Sequence, residues 1–368
     1  MKPIASYVRE MLVSLRILGN SPKLQGLTKA DALLASLIRK KKVPGLAITV
    51  VKDNAVFFQK GYGYADIAKK IPADPKRSVF RIASVSKPIA ATALAKMVQE
   101  GLLDLDASFY TYVPYYPKKK YDFTIRQLAS HTAGIRGYRG KEYALNQPFS
   151  IKESIAVFKD DALLFEPGTA YFYNSFDWVL ISLAMQEVSG MPFETLVAHY
   201  VLEPLGLTNT FPEKTDALPP DTVVFYSKTV NGFTNATPVN NLYKLAGGGY
   251  LSTSEDIARF GQAYLNRSVL DEGAVAQFLT SEIINGTPTY YGLGWQVSRD
   301  TKGRPYYGHV GNGVGGYALF YAYPEEQMVF SILMNSTNPG IEKDLDEIVD
   351  VLIGSQHPNT KHQENSAA

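Results

Sequence analysis

The chain has no cysteine among its 368 residues, which removes disulfides, thiolate metal sites and cysteine nucleophiles together and leaves the compartment open. It has no run approaching the roughly 18 apolar residues that a membrane helix needs, so no integral membrane segment is expected. Residues 1–20 lack the apolar block of a secretion signal. The chain as written is therefore expected in the cytoplasm, or in the periplasm if a leader has been removed. Only five histidines occur, none in H-E-x-x-H or H-x-H spacing, so neither a metal nor another cofactor is expected. Strong charge of one sign is also missing: 37 basic against 35 acidic residues, spread along the chain, exclude a polyanion as main partner and with it nucleic acid.

A chain this long can bury roughly three quarters of the surface its unfolded form exposes, enough for a large core without staples. Ile4, Val8, Met11, Leu12, Leu15 and Leu18 recur at helical spacing, which predicts an N-terminal helical extension over 1–22. TKADALLASLIRKK (28–41) reads as an amphipathic helix, and VPGLAITVVKDNAVFFQKGYGYAD as two strands turning at Asp53-Asn54. A helix follows RIASVSKP (81–88) and stops at Gly101.

Tyrosine- and proline-rich loops between short helices then extend to about 244. After Gly247, Gly248 and Gly249 comes a capped helix, four strand-like runs (YYGLGWQVS, RPYYGHVG, GYALFYAYP, MVFSILMNS) and a closing helix, IEKDLDEIVDVLIG. Strands at both ends with helices between them predict an α+β fold, one antiparallel sheet assembled from the two chain ends and flanked by helices. The expected organisation is a sheet domain over 23–105 and 245–356, a mainly helical insertion over 106–244, and a disordered polar tail over 357–368.

Three stretches carry chemistry. Ser84-Val85-Ser86-Lys87 is the only Ser-x-x-Lys in the chain, a pattern expected about once by chance. At a helix start, residues i and i+3 share a face, so the Lys87 amine can reach the Ser84 hydroxyl, and the helix dipole favours a developing alkoxide there. A serine in that place also serves as an ordinary N-cap, and both readings stand at this point.

FEPGTAYFYNSFDWVL presents Tyr171 and Tyr173 on one side of an extended segment. A phenol beside a neutral lysine can take a serine proton and later protonate a leaving group. The other reading is an aromatic core contact. GHVGNGVGG (308–316) contains a formal G-x-G-x-x-G at Gly311, Gly313 and Gly316, but a strand follows it rather than the helix a dinucleotide fingerprint requires. Its glycines instead fit a close backbone approach to a ligand. His309, just before them, faces the same cleft or is a packed histidine.

In chain order, RIASVSKP, LASHTAGI, PGTAYFYNS, AGGGYLSTSEDIARF, YGLGW and GHVGNGVGGYALFYAYPEE resemble blocks of the penicillin-recognising serine hydrolases, in the class C β-lactamase-like branch with its penicillin-binding esterases and D-amino-acid peptidases. Within it they look closest to the mitochondrial serine β-lactamase-like group and its bacterial relatives. The resemblance implies a β-lactamase/transpeptidase-like fold, Ser84 as acylated nucleophile, Lys87 as its proton partner, Tyr173 as acid/base group and His309 in place of the family's lysine. It further implies an oxyanion hole from the backbone N–H groups of Ser84 and Asn312, with Ser175, Gly311 and Gly313 contacting substrate. His131 of SHTAGI would fix its loop.

Two departures bear on substrate. Ser175 stands where the family's lactamases have asparagine, and His309 supplies no fixed positive charge near pH 7. The expectation is a serine hydrolase working through an acyl-enzyme on an ester or peptide bond of a small-molecule or peptide substrate, with weak β-lactamase activity at most. A non-catalytic or filament-forming member is the alternative, and homo-oligomerisation stays open. A Ser-His-Asp triad using His131 or His309 is disfavoured because no G-x-S-x-G elbow occurs.

Overall fold

The computed structural model describes residues 24–355. The expected N-terminal extension over 1–22 and the polar tail over 357–368 lie outside the described residues. Contacts divide the chain into a unit made of its two ends, up to Val43 and from Pro339, and a unit spanning Pro44–Asn338. In the first, α1 (Gly26–Arg39) buries Ala30, Leu34 and Leu37 at the i, i+4, i+7 spacing read in the sequence. Its Lys29 pairs with Glu347 on the closing helix (Glu342–Gly354) at 2.9 Å.

The second unit is organised on an antiparallel sheet. Its strands are β1 (Gly45–Lys52), β2 (Ala55–Asp66), β3 (Ile71–Pro72), β4 (Gln296–Arg299), β5 (Pro305–Gly313), β6 (Gly316–Tyr323) and β7 (Met328–Met334), in the order β4-β5-β6-β7-β1-β2-β3. Asp53 and Asn54 take φ of +48° and +68°, the left-handed pair a two-residue hairpin requires. The joint between chain halves is the β1–β7 pairing, which runs in register from Leu46 opposite Met334 to Lys52 opposite Met328. Every residue of β7 is buried, as a central strand covered on both faces demands.

Two helices fix the site. The first, α2 (Ser86–Gln99), is buried almost throughout and ends before Gly101, whose φ is +71°. The second, α3 (Phe176–Ser189), follows the Tyr171–Tyr173 segment and stops at Gly190 in the left-handed conformation. A further helix, α4 (Ser254–Leu265), starts from the expected threonine cap, in which the Thr253 hydroxyl accepts from Asp256 N. It packs on β1, β6 and β7, closely enough that a Cβ at Gly261 would lie 2.6 Å from Phe320 and Val329.

Residues 106–244 hold short helices and aromatic clusters such as Phe109 stacked on Phe123. They also hold a two-stranded ribbon, Tyr226–Thr229 with Gly232–Asn235, that the sequence reading did not anticipate. Its segments are short and mostly polar, so no apolar alternation betrays them. Among the described residues no helix is long and apolar enough to cross a membrane.

Candidate active site

Ser84 sits in a 3₁₀ turn, Ala83–Val85, that runs directly into α2. In a 3₁₀ turn residues i and i+3 eclipse, and the Lys87 Nζ accordingly lies 3.1 Å from Ser84 Oγ. The other bond of Nζ is donated to the Gly247 carbonyl at 2.7 Å. From the far side, the Tyr173 hydroxyl donates to Ser84 Oγ at 2.9 Å. The helix shows no side-chain N-cap bond, so the capping role open at the sequence level is not what Ser84 does. Ser86, two residues on, is buried and accepts from Tyr250 N at 3.1 Å. Ala83 holds φ at +45°, a strained conformation immediately before the serine.

The electrostatics follow from burial. Lys87 is fully buried, and desolvation of its ammonium, opposed by Asp177 and reinforced by Lys244, lowers its pKa from 10.5 to about 7. Tyr173 moves the other way: desolvation pushes its phenol above the ordinary value, although the bond to Ser84 acts against this. At neutral pH a large share of Lys87 is thus a free amine while Tyr173 keeps its proton.

Two predicted residues are brought to the Ser84 turn by β5, though in different ways. Gly311 does not face the cleft as expected: a Cβ there would lie 2.1 Å from Ile82 O and 3.2 Å from Ser84 N, so its bareness lets strand and turn touch. Asn312 lines the cleft with Ser84, Ser175 and Gly313. Val310 N, two residues earlier, points off the strand edge to Gln296 Oε1 at 3.0 Å, and alternation directs Asn312 N–H the same way.

His309 departs from expectation. It is 1% exposed, Nδ1 donates to the Val310 carbonyl at 2.7 Å, and Nε2 faces the Tyr291 hydroxyl at 2.9 Å. Burial, with Lys87 nearby, brings its pKa down to about 3. It is a neutral ring behind Tyr173, with centroids 5.9 Å apart, and both nitrogens are engaged, so it has no hydrogen bond to spare for Ser84.

The sequence reading missed what holds Tyr173. His131, with φ at +62°, bonds Asp177 Oδ2 through Nδ1 at 2.7 Å, and its ring packs 4.6 Å from Tyr173 and 4.9 Å from Tyr291. Its carbonyl also accepts from Phe172 N at 2.9 Å, which fits the loop-fixing role expected of it. Burial opposes charge on both partners, holding the imidazole well below and the Asp177 carboxyl well above their ordinary values. Asn174 Nδ2 closes the group onto Asp177 at 2.6 Å. Asp177 looked like one more polar position of an apolar helix; only its place in the first turn of α3 hinted at a role.

A serine hydroxyl, a buried amine of lowered pKa and a phenol thus meet at one oxygen, Ser84 Oγ. The Beta-lactamase family model matches residues 30–353, and the chain belongs to that family. It is similar to the human mitochondrial serine beta-lactamase-like protein LACTB, 27% identical over a match that covers 77% of this chain and 69% of the relative. Among solved structures it resembles the octameric penicillin-binding protein homologue from Pyrococcus abyssi, with a TM-score of 0.77 at 26% identity, covering 89% of this chain and 77% of that one. It shares its fold with the D-amino acid amidase from Ochrobactrum anthropi SV3, with a TM-score of 0.77 at 20% identity over 89% of this chain and 99% of that one. The fold is the β-lactamase/transpeptidase-like one.

Proposed function

We propose that the protein is a serine hydrolase that cleaves an ester or amide bond through an acyl-enzyme on Ser84. The observation that carries this is the double engagement of Ser84 Oγ, by Lys87 Nζ at 3.1 Å and by the Tyr173 hydroxyl at 2.9 Å. Ser84 Oγ attacks the carbonyl carbon and its proton passes to the free amine of Lys87, the member of the pair whose basic form is populated near pH 7. The oxyanion is held by the N–H groups of Ser84 and Asn312, where one donor is typically worth about 3 to 4 kcal/mol. As the intermediate collapses, Tyr173 gives its proton to the departing oxygen or nitrogen and recovers one from Lys87. Water then attacks the acyl carbon, its proton leaves through the same pair, and Ser84 is released.

His309 and the His131–Asp177 pair are positioning residues that hold the Tyr173 ring. Ser175 and Gly313 border the acyl group, and residues 106–244 form an insertion between the two halves of the sheet domain. A neutral His309 offers no cation for a leaving-group carboxylate, so penicillins are poor substrates.

The test is intact-mass analysis after exposure to a fluorophosphonate and to a penicillin. Wild type and Ser86→Ala gain the phosphonyl mass, Ser84→Ala does not, and nitrophenyl esters turn over while penicillins do not. An unlabelled wild type that assembles into filaments would overturn the reading in favour of a scaffold.

A further inference from the structure

Beside Ser84 lies a cleft of about 80 Å³, partly open to solvent, whose lining includes Ala83, Ser175, Asn241, Lys244, Asn312 and Gly313. Tyr173, which must protonate the leaving group, does not line it. The cleft therefore takes the acyl part of the substrate, and the side chains that line it select the acyl chain.

Two cations line it, and they differ in state. Arg81 is neutralised: Nε and Nη2 bond Glu213 at 3.0 and 2.6 Å, and Nη1 bonds the Val314 carbonyl at 2.6 Å. Asn241 Nδ2 donates to Glu213 Oε2 at 2.8 Å, an oxygen that Arg81 Nε also reaches at 3.0 Å. Lys244 has no carboxylate bonded to it: Glu213 attracts it only at longer range, its oxygens being taken by Arg81 and Asn241. Lys244 is 8% exposed, its Nζ donates to the Tyr143 carbonyl at 2.7 Å, and the Tyr138 and Tyr243 rings lie 5.5 and 5.6 Å away. Among the described residues it forms no ion pair.

An ammonium buried with one carbonyl acceptor is left with unused donors, which burial makes costly unless a ligand supplies the counter-charge. Its place is rigidly tied to the reacting centre. The turn Leu242–Lys244 runs straight into Leu245–Gly248, whose Gly247 carbonyl holds Lys87. Burial lowers the Lys244 pKa to about 8, so at pH 7 roughly nine tenths of it still carries charge.

We infer that Lys244 is a specificity-determining residue that pairs with a carboxylate at the end of the substrate's acyl chain, so that the preferred substrates are half-esters or half-amides of dicarboxylic acids. The inference rests on Ser84 being the acylated residue. An ion pair to a buried ammonium discriminates by charge and by hydrogen bonding together, because a neutral acyl chain of equal length leaves the ammonium unpaired.

The experiment compares kcat/KM for the nitrophenyl half-esters of glutaric and adipic acid with that for nitrophenyl pentanoate and hexanoate, with enzyme-free hydrolysis subtracted. In wild type the acidic esters lead by about tenfold or more, and the aminohexanoic ester falls behind the hexanoate. In Lys244→Met and Lys244→Gln the lead collapses to near one, whatever the change in absolute rates. A wild-type ratio at or below one, or a lead that survives both substitutions, would overturn the inference while fluorophosphonate labelling of Ser84 still stands. Loss of that labelling would instead sink the acyl-enzyme reading on which it rests.

Discussion

Replacing Lys87 with methionine keeps the side chain's length and removes its amine, and the structure predicts a trade of stability against activity. Burial takes the Lys87 pKa from 10.5 to about 7, and one pKa unit corresponds to about 1.4 kcal/mol. Below pH 7 folded and unfolded chains both hold the proton, so the buried ammonium costs the fold about 5 kcal/mol. Between pH 7 and 10.5 only the unfolded chain holds it, so wild-type stability rises by about 1.4 kcal/mol per pH unit.

The methionine variant escapes this cost but loses the bonds to Gly247 O and Ser84 Oγ, roughly 2 kcal/mol together. Lys87→Met is therefore more stable than wild type by about 3 kcal/mol at pH 6, and the difference closes to near zero by about pH 9. Denaturant unfolding followed through the buried Trp178 and Trp295 measures both values, and fluorophosphonate labelling of the same samples reports the lost activity. A variant destabilised equally at both pH values would refute the claim that burial sets the state of Lys87.

The other consequences are local. Arg81→Met leaves Glu213, whose side chain is 1% exposed, without its partner at 2.6 Å, and denaturation should register a loss of about 3 to 5 kcal/mol. Gly311→Ala drives a methyl to 2.1 Å from Ile82 O, so β5 and the Ser84 turn must separate and labelling should fall at least about tenfold. Far-ultraviolet circular dichroism would separate that from unfolding. Tyr173→Phe keeps the ring packing on His131 but removes the acid. Ester turnover should drop about a hundred- to ten-thousandfold, while stability changes by less than about 1 kcal/mol.

Much of this was legible in the sequence, for reasons particular to each element. The Asp53-Asn54 turn, the apolar strands either side of it and the glycine stop at Gly101 are local signals, and each is found where the pattern puts it. The Ser84–Lys87 pairing was legible because helical geometry alone brings i and i+3 together. The Tyr173 contact, across 89 positions, rested on family resemblance.

What stayed hidden depends on contacts between distant segments. His309 has a ligand-like setting among glycines, yet Tyr291 and its neighbour's carbonyl occupy both nitrogens. Gly311 was read as bare for a substrate, whereas the Ile82–Ser84 backbone fills that space. Asp177 and Lys244 look like ordinary helix and loop positions until folding buries them, because the desolvation that sets their protonation has no one-dimensional signature.

The most direct measurement is the second-order rate of Ser84 phosphonylation by a fluorophosphonate between pH 5 and 10. Uncharged Lys87 as base predicts a rate that climbs about tenfold per pH unit at first, passes its midpoint near pH 7 and is flat above about pH 8. A rate still climbing tenfold per unit beyond pH 9, as an ordinary lysine would give, or a label found on any residue other than Ser84, would contradict it.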